Sequence, residues 1–91
     1  MSWAEETFRD LLSRSGVEEK TAYTPAEVAA ILRLSVPTVK LYCRAWEPPG
    51  AHGRARRSID SYSTPGGHRR ISQKAIIEYL KINHTYEREM S

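Results

Sequence analysis

The chain has 91 residues, one cysteine and a formal net charge of +3. That length makes one small domain with a modest core, and a single cysteine excludes an internal disulfide. No apolar run approaches the roughly 20 residues needed to span a bilayer. Glu5, Glu6, Arg9 and Asp10 interrupt any signal-peptide pattern, so the expected compartment is the cytoplasm.

Ser2 and Glu5 have the spacing of a capping box, and the stretch from Ser2 to Ser15 is amphipathic. Trp3, Phe8, Leu11 and Leu12 share one side with Ala4 near them, while Glu6, Arg9, Asp10 and Arg14 cover the other. Gly16 suits the position just past a helix end. This helix is expected to dock on the rest of the domain. The alternative is that its apolar side serves as an interface for a second copy or another protein. Val17 to Ala22 is a polar linker, and Tyr23 anchors the entry into a helix pair.

Thr24 to Trp46 predicts two short helices joined by a tight turn. Thr24 is an N-cap, Pro25 occupies the first helical position, where a missing N–H is harmless, and Glu27 completes a capping box. Val28, Ala29, Ile31 and Leu32 form one apolar stripe, and Arg33 and Leu34 make the turn. Ser35 caps the second helix, with Pro37 in its first turn. There Val36, Val39, Tyr42 and Cys43 can face the first helix, leaving Thr38, Lys40, Leu41 and Arg44 outside. A capped helix, a tight turn and a second helix with outward Thr, Lys and Arg is a helix-turn-helix pattern; an ordinary αα-hairpin shares it.

Glu47-Pro48-Pro49-Gly50 stops the second helix. Ala51 to Asp60 has no periodicity; Arg54, Arg56 and Arg57 can lie along phosphates, or the segment is a plain surface loop. Ser58 to Ser63 contains Ile59 and Tyr62 and predicts a strand. Thr64-Pro65-Gly66-Gly67 predicts a type II turn with proline then glycine at its centre. His68 to Ile71 returns as a second strand, making a hairpin with basic residues beside its tip. Ser72 caps a last helix over about Gln73 to Ile82, with Ala75, Ile76, Tyr79 and Leu80 inward. Asn83 to Ser91 is polar apart from Tyr86 and Met90 and is expected to fray.

Charge follows this organisation. Between Lys40 and Lys74 eight basic residues meet two acids, a net +6, while the rest of the chain, with six bases and nine acids, carries −3. Such asymmetry is the footprint of a polyanion-binding face, or else a solvated basic surface.

The helix pair TPAEVAAILRLSVPTVKLY together with TPGGHRRI directly before a capped helix resembles the MerR-like and excisionase-like winged helix-turn-helix domains over roughly Tyr23 to Leu80. The resemblance implies a mainly α fold with a small β-hairpin, in which residues 23–82 form the DNA-binding domain; outside it, residues 1–16 are expected to add an N-terminal helix and 83–91 a flexible tail. It implies that Pro37, Thr38, Lys40, Leu41 and Arg44 lie along a major groove, that His68, Arg69 and Arg70 belong to a wing touching the backbone, and that Tyr42 packs into the core. The expected partner is double-stranded DNA, met by a homodimer or a cooperative oligomer at the nucleoid. The expected role is that of a small regulator or a mobile-element recombination factor.

The chain departs from that pattern in three ways. Its Glu47–Asp60 connection is longer, it ends soon after Leu80 where MerR regulators continue into a dimerisation helix, and it has the extra first helix. No small-molecule effector is therefore expected, and no cofactor or membrane contact is expected. Catalysis is not expected either. His52, His68 and His84 are scattered and do not pair with Cys43 at metal-ligand spacing, and Gly66-Gly67 lacks the phosphate-loop pattern G-x-x-x-x-G-K-[ST]. Cys43, among apolar positions, reads as a small buried hydrophobe.

Overall fold

Thr24, Ser35 and Ser72 each start a helix for one physical reason. Each sits in extended backbone, and its hydroxyl accepts the amide three residues on: Glu27 at 3.1 Å, Thr38 at 3.2 Å and Ala75 at 3.1 Å. At Thr24 the cap is reciprocal, because the Thr24 amide donates to Glu27 Oε1 at 2.9 Å. The ammonium of Lys20 pairs with the same carboxylate and, with the Thr24 amide, holds it below the usual glutamate range.

The computed structural model describes residues 3–47 and 57–83. Its helices are α1 (Trp3–Ser15), α2 (Pro25–Leu32), α3 (Val36–Ala45) and α4 (Gln73–Ile82). Three strands, β1 (Ala22–Tyr23), β2 (Tyr62–Ser63) and β3 (Arg69–Ser72), form one antiparallel sheet in the order β1-β3-β2. This mainly helical arrangement with a small sheet is the winged helix-turn-helix fold.

The core gathers one stripe from each helix. Phe8 and Leu11 of α1, Val28, Ile31 and Leu32 of α2, Val39 of α3, and Ile76 and Leu80 of α4 are all buried, as are Tyr23, Ile59 and Ile71 from the sheet and its approach. The α4 face, Ala75, Ile76, Tyr79 and Leu80, is inward as its spacing predicts. The first helix packs against α2 and α4, and Phe8 meets Tyr23 edge to face, with ring centroids 6.3 Å apart. Its apolar side is thus consumed within the domain: Phe8, Leu11 and Leu12 are buried and Trp3 packs half-buried beside them. The alternative that this side docks another protein is overturned, because those groups already lie against the core. Gly16 ends α1 at φ +80°, the left-handed value expected just past a helix end. Ser2, and with it the expected first capping box, lies outside the described residues, as do residues 84–91 of the expected tail.

Three further expectations are corrected. The segment 17–22 is not linker to its end: Ala22 and Tyr23 pair with Ser72 and Ile71, and the Gln73 amide donates to the Thr21 carbonyl at 3.0 Å. The strand predicted over Ser58–Ser63 shrinks to Tyr62–Ser63, because Ser58 and Ile59 are buried instead of laddered, and the Ile59 amide donates to the Tyr42 carbonyl at 3.1 Å. The hairpin loop is not a type II turn. Positive φ falls on Gly67, at +80°, and not on Gly66. Gly67 donates to the Thr64 carbonyl at 2.9 Å and Thr64 to the His68 carbonyl at 2.7 Å. That is the three-residue loop whose last residue must be left-handed, which matches the right-handed twist of the flanking strands.

Candidate nucleic-acid interface

The second helix of the pair has one buried side and one bare side. Val39 and Cys43 are buried, and Val36 is half-buried. Tyr42, expected to face α2, turns instead towards α4, where its ring stacks on Tyr79 at 6.0 Å with 30° between planes. Pro37, Lys40 and Arg44 are exposed, and Leu41 keeps 54% of its surface open. Thr38 is only half open, because its hydroxyl lies 2.7 Å from Ser35 Oγ and its amide donates to that same oxygen. Part of its hydrogen-bonding capacity is therefore spent on the cap.

The hairpin is rooted on the last turns of α3. The Ile59–Tyr42 hydrogen bond ties its approach to that helix. Arg69 Nη1 donates to Ser61 Oγ at 2.6 Å, close to the Cys43 thiol. Burial pushes that thiol up, against the smaller opposing pull of Ser61 and the Arg69 charge, so it stays protonated at neutral pH, as a packing group does.

Register separates the two wing arginines. Arg69 pairs with Ser63 and Arg70 with Tyr62, and neighbouring strand residues point to opposite faces. Arg69 therefore shares the face of buried Ile71. Arg70 shares the other with Tyr62, and its Nη1 donates to the Arg69 carbonyl at 3.0 Å. His68 is exposed at the loop, its ring close over Gly66. Arg57 is exposed; Arg54 and Arg56 lie outside the described residues.

Residues 22–83 match the family model of the helix-turn-helix domain. The chain belongs to that family. No curated protein and no solved structure matches it. The helix-turn-helix domains are a DNA-binding family, and the match runs from β1 to the end of α4, leaving α1 outside although it completes the same core.

Across the described residues the charges are sorted. Arg9–Glu19 at 3.6 Å, Arg14–Asp10 at 3.1 Å, Lys20–Glu27, and Lys81–Glu78 at 3.4 Å neutralise one another on α1, the approach to α2, and α4. Among the described residues, Lys40, Arg44, Arg57 and His68 enter no ion pair. Positive charge is thus left available on α3 and the hairpin, while four acids are engaged elsewhere.

One exposed residue escaped the sequence-based set. Tyr62, 51% exposed, stands across from Arg70 on the outer face of the hairpin. The signal was a lone aromatic between two serines beside a turn, obscured by reading Ser58–Ser63 as one strand. No helix among the described residues is long and apolar enough to cross a membrane.

Proposed function

We propose that this protein binds duplex DNA sequence-specifically, with α3 in a major groove and the hairpin against the neighbouring backbone. We assign it the role of a small transcriptional regulator or an excisionase-like recombination factor at the nucleoid. The observation that carries this reading is the outward face of α3, basic and free of ion pairs, beside a hairpin rooted on the same helix. Lys40 and Arg44 supply phosphate or base-edge contacts, and Thr38 a short contact near the helix N-terminus. His68, Arg69 and Arg70 hold the adjacent strand. Arg54, Arg56 and Arg57 extend the phosphate track. A single domain reads only a short half-site, so useful specificity comes from a second copy on the DNA. Nothing in this mode of binding calls for a cofactor, an effector or a catalytic group.

A fluorescence-anisotropy titration with random-sequence duplex over a salt series tests it. Binding should weaken steeply with salt, and the Lys40→Ala/Arg44→Ala pair should flatten the log–log slope by about 1–2, near 0.9 for each phosphate no longer neutralised. Absence of binding at low salt, or a slope indifferent to that pair, overturns the reading. Bending of a circularly permuted fragment favours the recombination role; repression of a reporter without bending favours the regulator.

A further inference from the structure

The outward face of α3 has an aliphatic centre. At about 100° per residue, Leu41 lies opposite the midpoint of Val39 and Cys43, the two residues that face the core. It therefore occupies the crest of the bare side. Pro37, four residues earlier, adjoins it on that crest. Lys40 and Arg44 line one flank, and Thr38 and Ala45 the other. The charged groups thus sit to one side, where a phosphate strand would run, while the position most advanced towards a groove floor has no hydrogen-bonding group at all.

A lone exposed leucine on a protein surface means little. Leu41 differs in its place. It is 54% exposed, and among the described residues the only other large hydrophobic so open is Tyr62 on the hairpin. Set against adenine, guanine or cytosine in the major groove, a leucine would shed water from donors and acceptors without replacing them. Thymine alone offers an apolar group there, its C5-methyl. We propose that Leu41 reads a thymine methyl at the centre of the half-site, with Lys40 and Arg44 positioning the helix on the flanking phosphates. The inference rests on α3 lying in the major groove.

Selection from a randomised duplex library with the full chain and with Leu41→Ala tests it. The natural protein should enrich sites with a fixed T·A pair, and Leu41→Ala should relax that position while the flanking preferences persist. In an enriched duplex, replacing that thymine by deoxyuridine removes only the methyl. Affinity of the natural protein should fall about three- to fivefold, the scale of one buried methyl-sized group, and that of Leu41→Ala should not change. An exposed side chain leaves the thermal midpoint of Leu41→Ala close to that of the natural protein, which is measured alongside. Deoxyuridine that is harmless at every thymine of the enriched site, a site without a fixed thymine, or an equal loss in both proteins overturns the proposal. A protein that binds no duplex at low salt fails the broader reading as well. One that binds with a steep salt slope but ignores thymine methyls fails this inference alone.

Discussion

The helix pair and the hairpin both present positive charge outward, yet different forces hold them. The pair is fastened from beneath. Val28, Ile31, Leu32 and Val39 are buried, and each helix is started by its own cap. The hairpin has little beneath it. Its outer strand is two exposed residues, and its shape rests on the Thr64–His68 and Gly67–Thr64 hydrogen bonds, the Arg69–Ser61 contact and the single buried anchor of Ile71. Moving α3 means opening the core, whereas moving the hairpin breaks a few partly solvated bonds, so local opening is far cheaper there. In the proposed mode of binding, such a build pairs a rigid reading edge with an adjustable clamp.

The largest effect that would test this contrast is Ile31→Ala. Ile31 is fully buried beneath the helix pair, and truncation should cost about 2–5 kcal/mol, a large part of a domain's usual stability. Chemical denaturation should show the midpoint falling with little change in slope. A loss under about 1 kcal/mol would mean the pair is not held by burial. The hairpin counterpart is Gly67→Ala. At φ +80° an alanine carries strain of about 1–2 kcal/mol, although a Cβ there would touch nothing. That strain should be relieved by opening the hairpin alone. Amide exchange should therefore quicken at Thr64 and Gly67 well before α2 and α3 respond. Uniform acceleration across the domain would erase the distinction between the two regions.

Much of the fold was legible because it is set locally. Thr24, Ser35 and Ser72 cap through neighbours three residues away, and the inward face of α4 follows from a 3.6-residue period. The parts that escaped depend on distant pairing. Ala22 and Tyr23 become a strand only because Ser72 and Ile71 arrive beside them, and a two-residue element has no period to read. Ile59 is buried from an irregular segment by the shape of the core around it. Gly66 and Gly67 are chemically the same, so only the closed loop decides which of them turns left-handed. The candidate interface divides along the same line. The outward placing of Lys40, Leu41 and Arg44 follows from helical spacing. The separation of Arg69 and Arg70 onto opposite faces needed the register that the loop imposes.

The smallest expected effect lies at the joint of the pair and sharpens what burial accomplishes there. Arg33 ends α2 at φ 62° and ψ 44°, where its Cβ crowds the backbone and glycine would not. Its amide donates to the Ala29 carbonyl, which also accepts the Leu34 amide at 2.9 Å, and Leu34 packs on the core. The conformation is thus imposed by the helix end behind it and the packing ahead of it, while the exposed Arg33 side chain contributes no burial of its own. Arg33→Gly removes about 1–2 kcal/mol of strain but frees the unfolded chain by about 0.4–1 kcal/mol. The net should be a gain of roughly 0.5–1 kcal/mol, a rise of a few degrees in Tm for a domain of this size. A drop in Tm would show that the arginine side chain itself steadies the turn, and the joint would then resemble the hairpin, held by surface contacts, more than the core-fastened helices on either side of it.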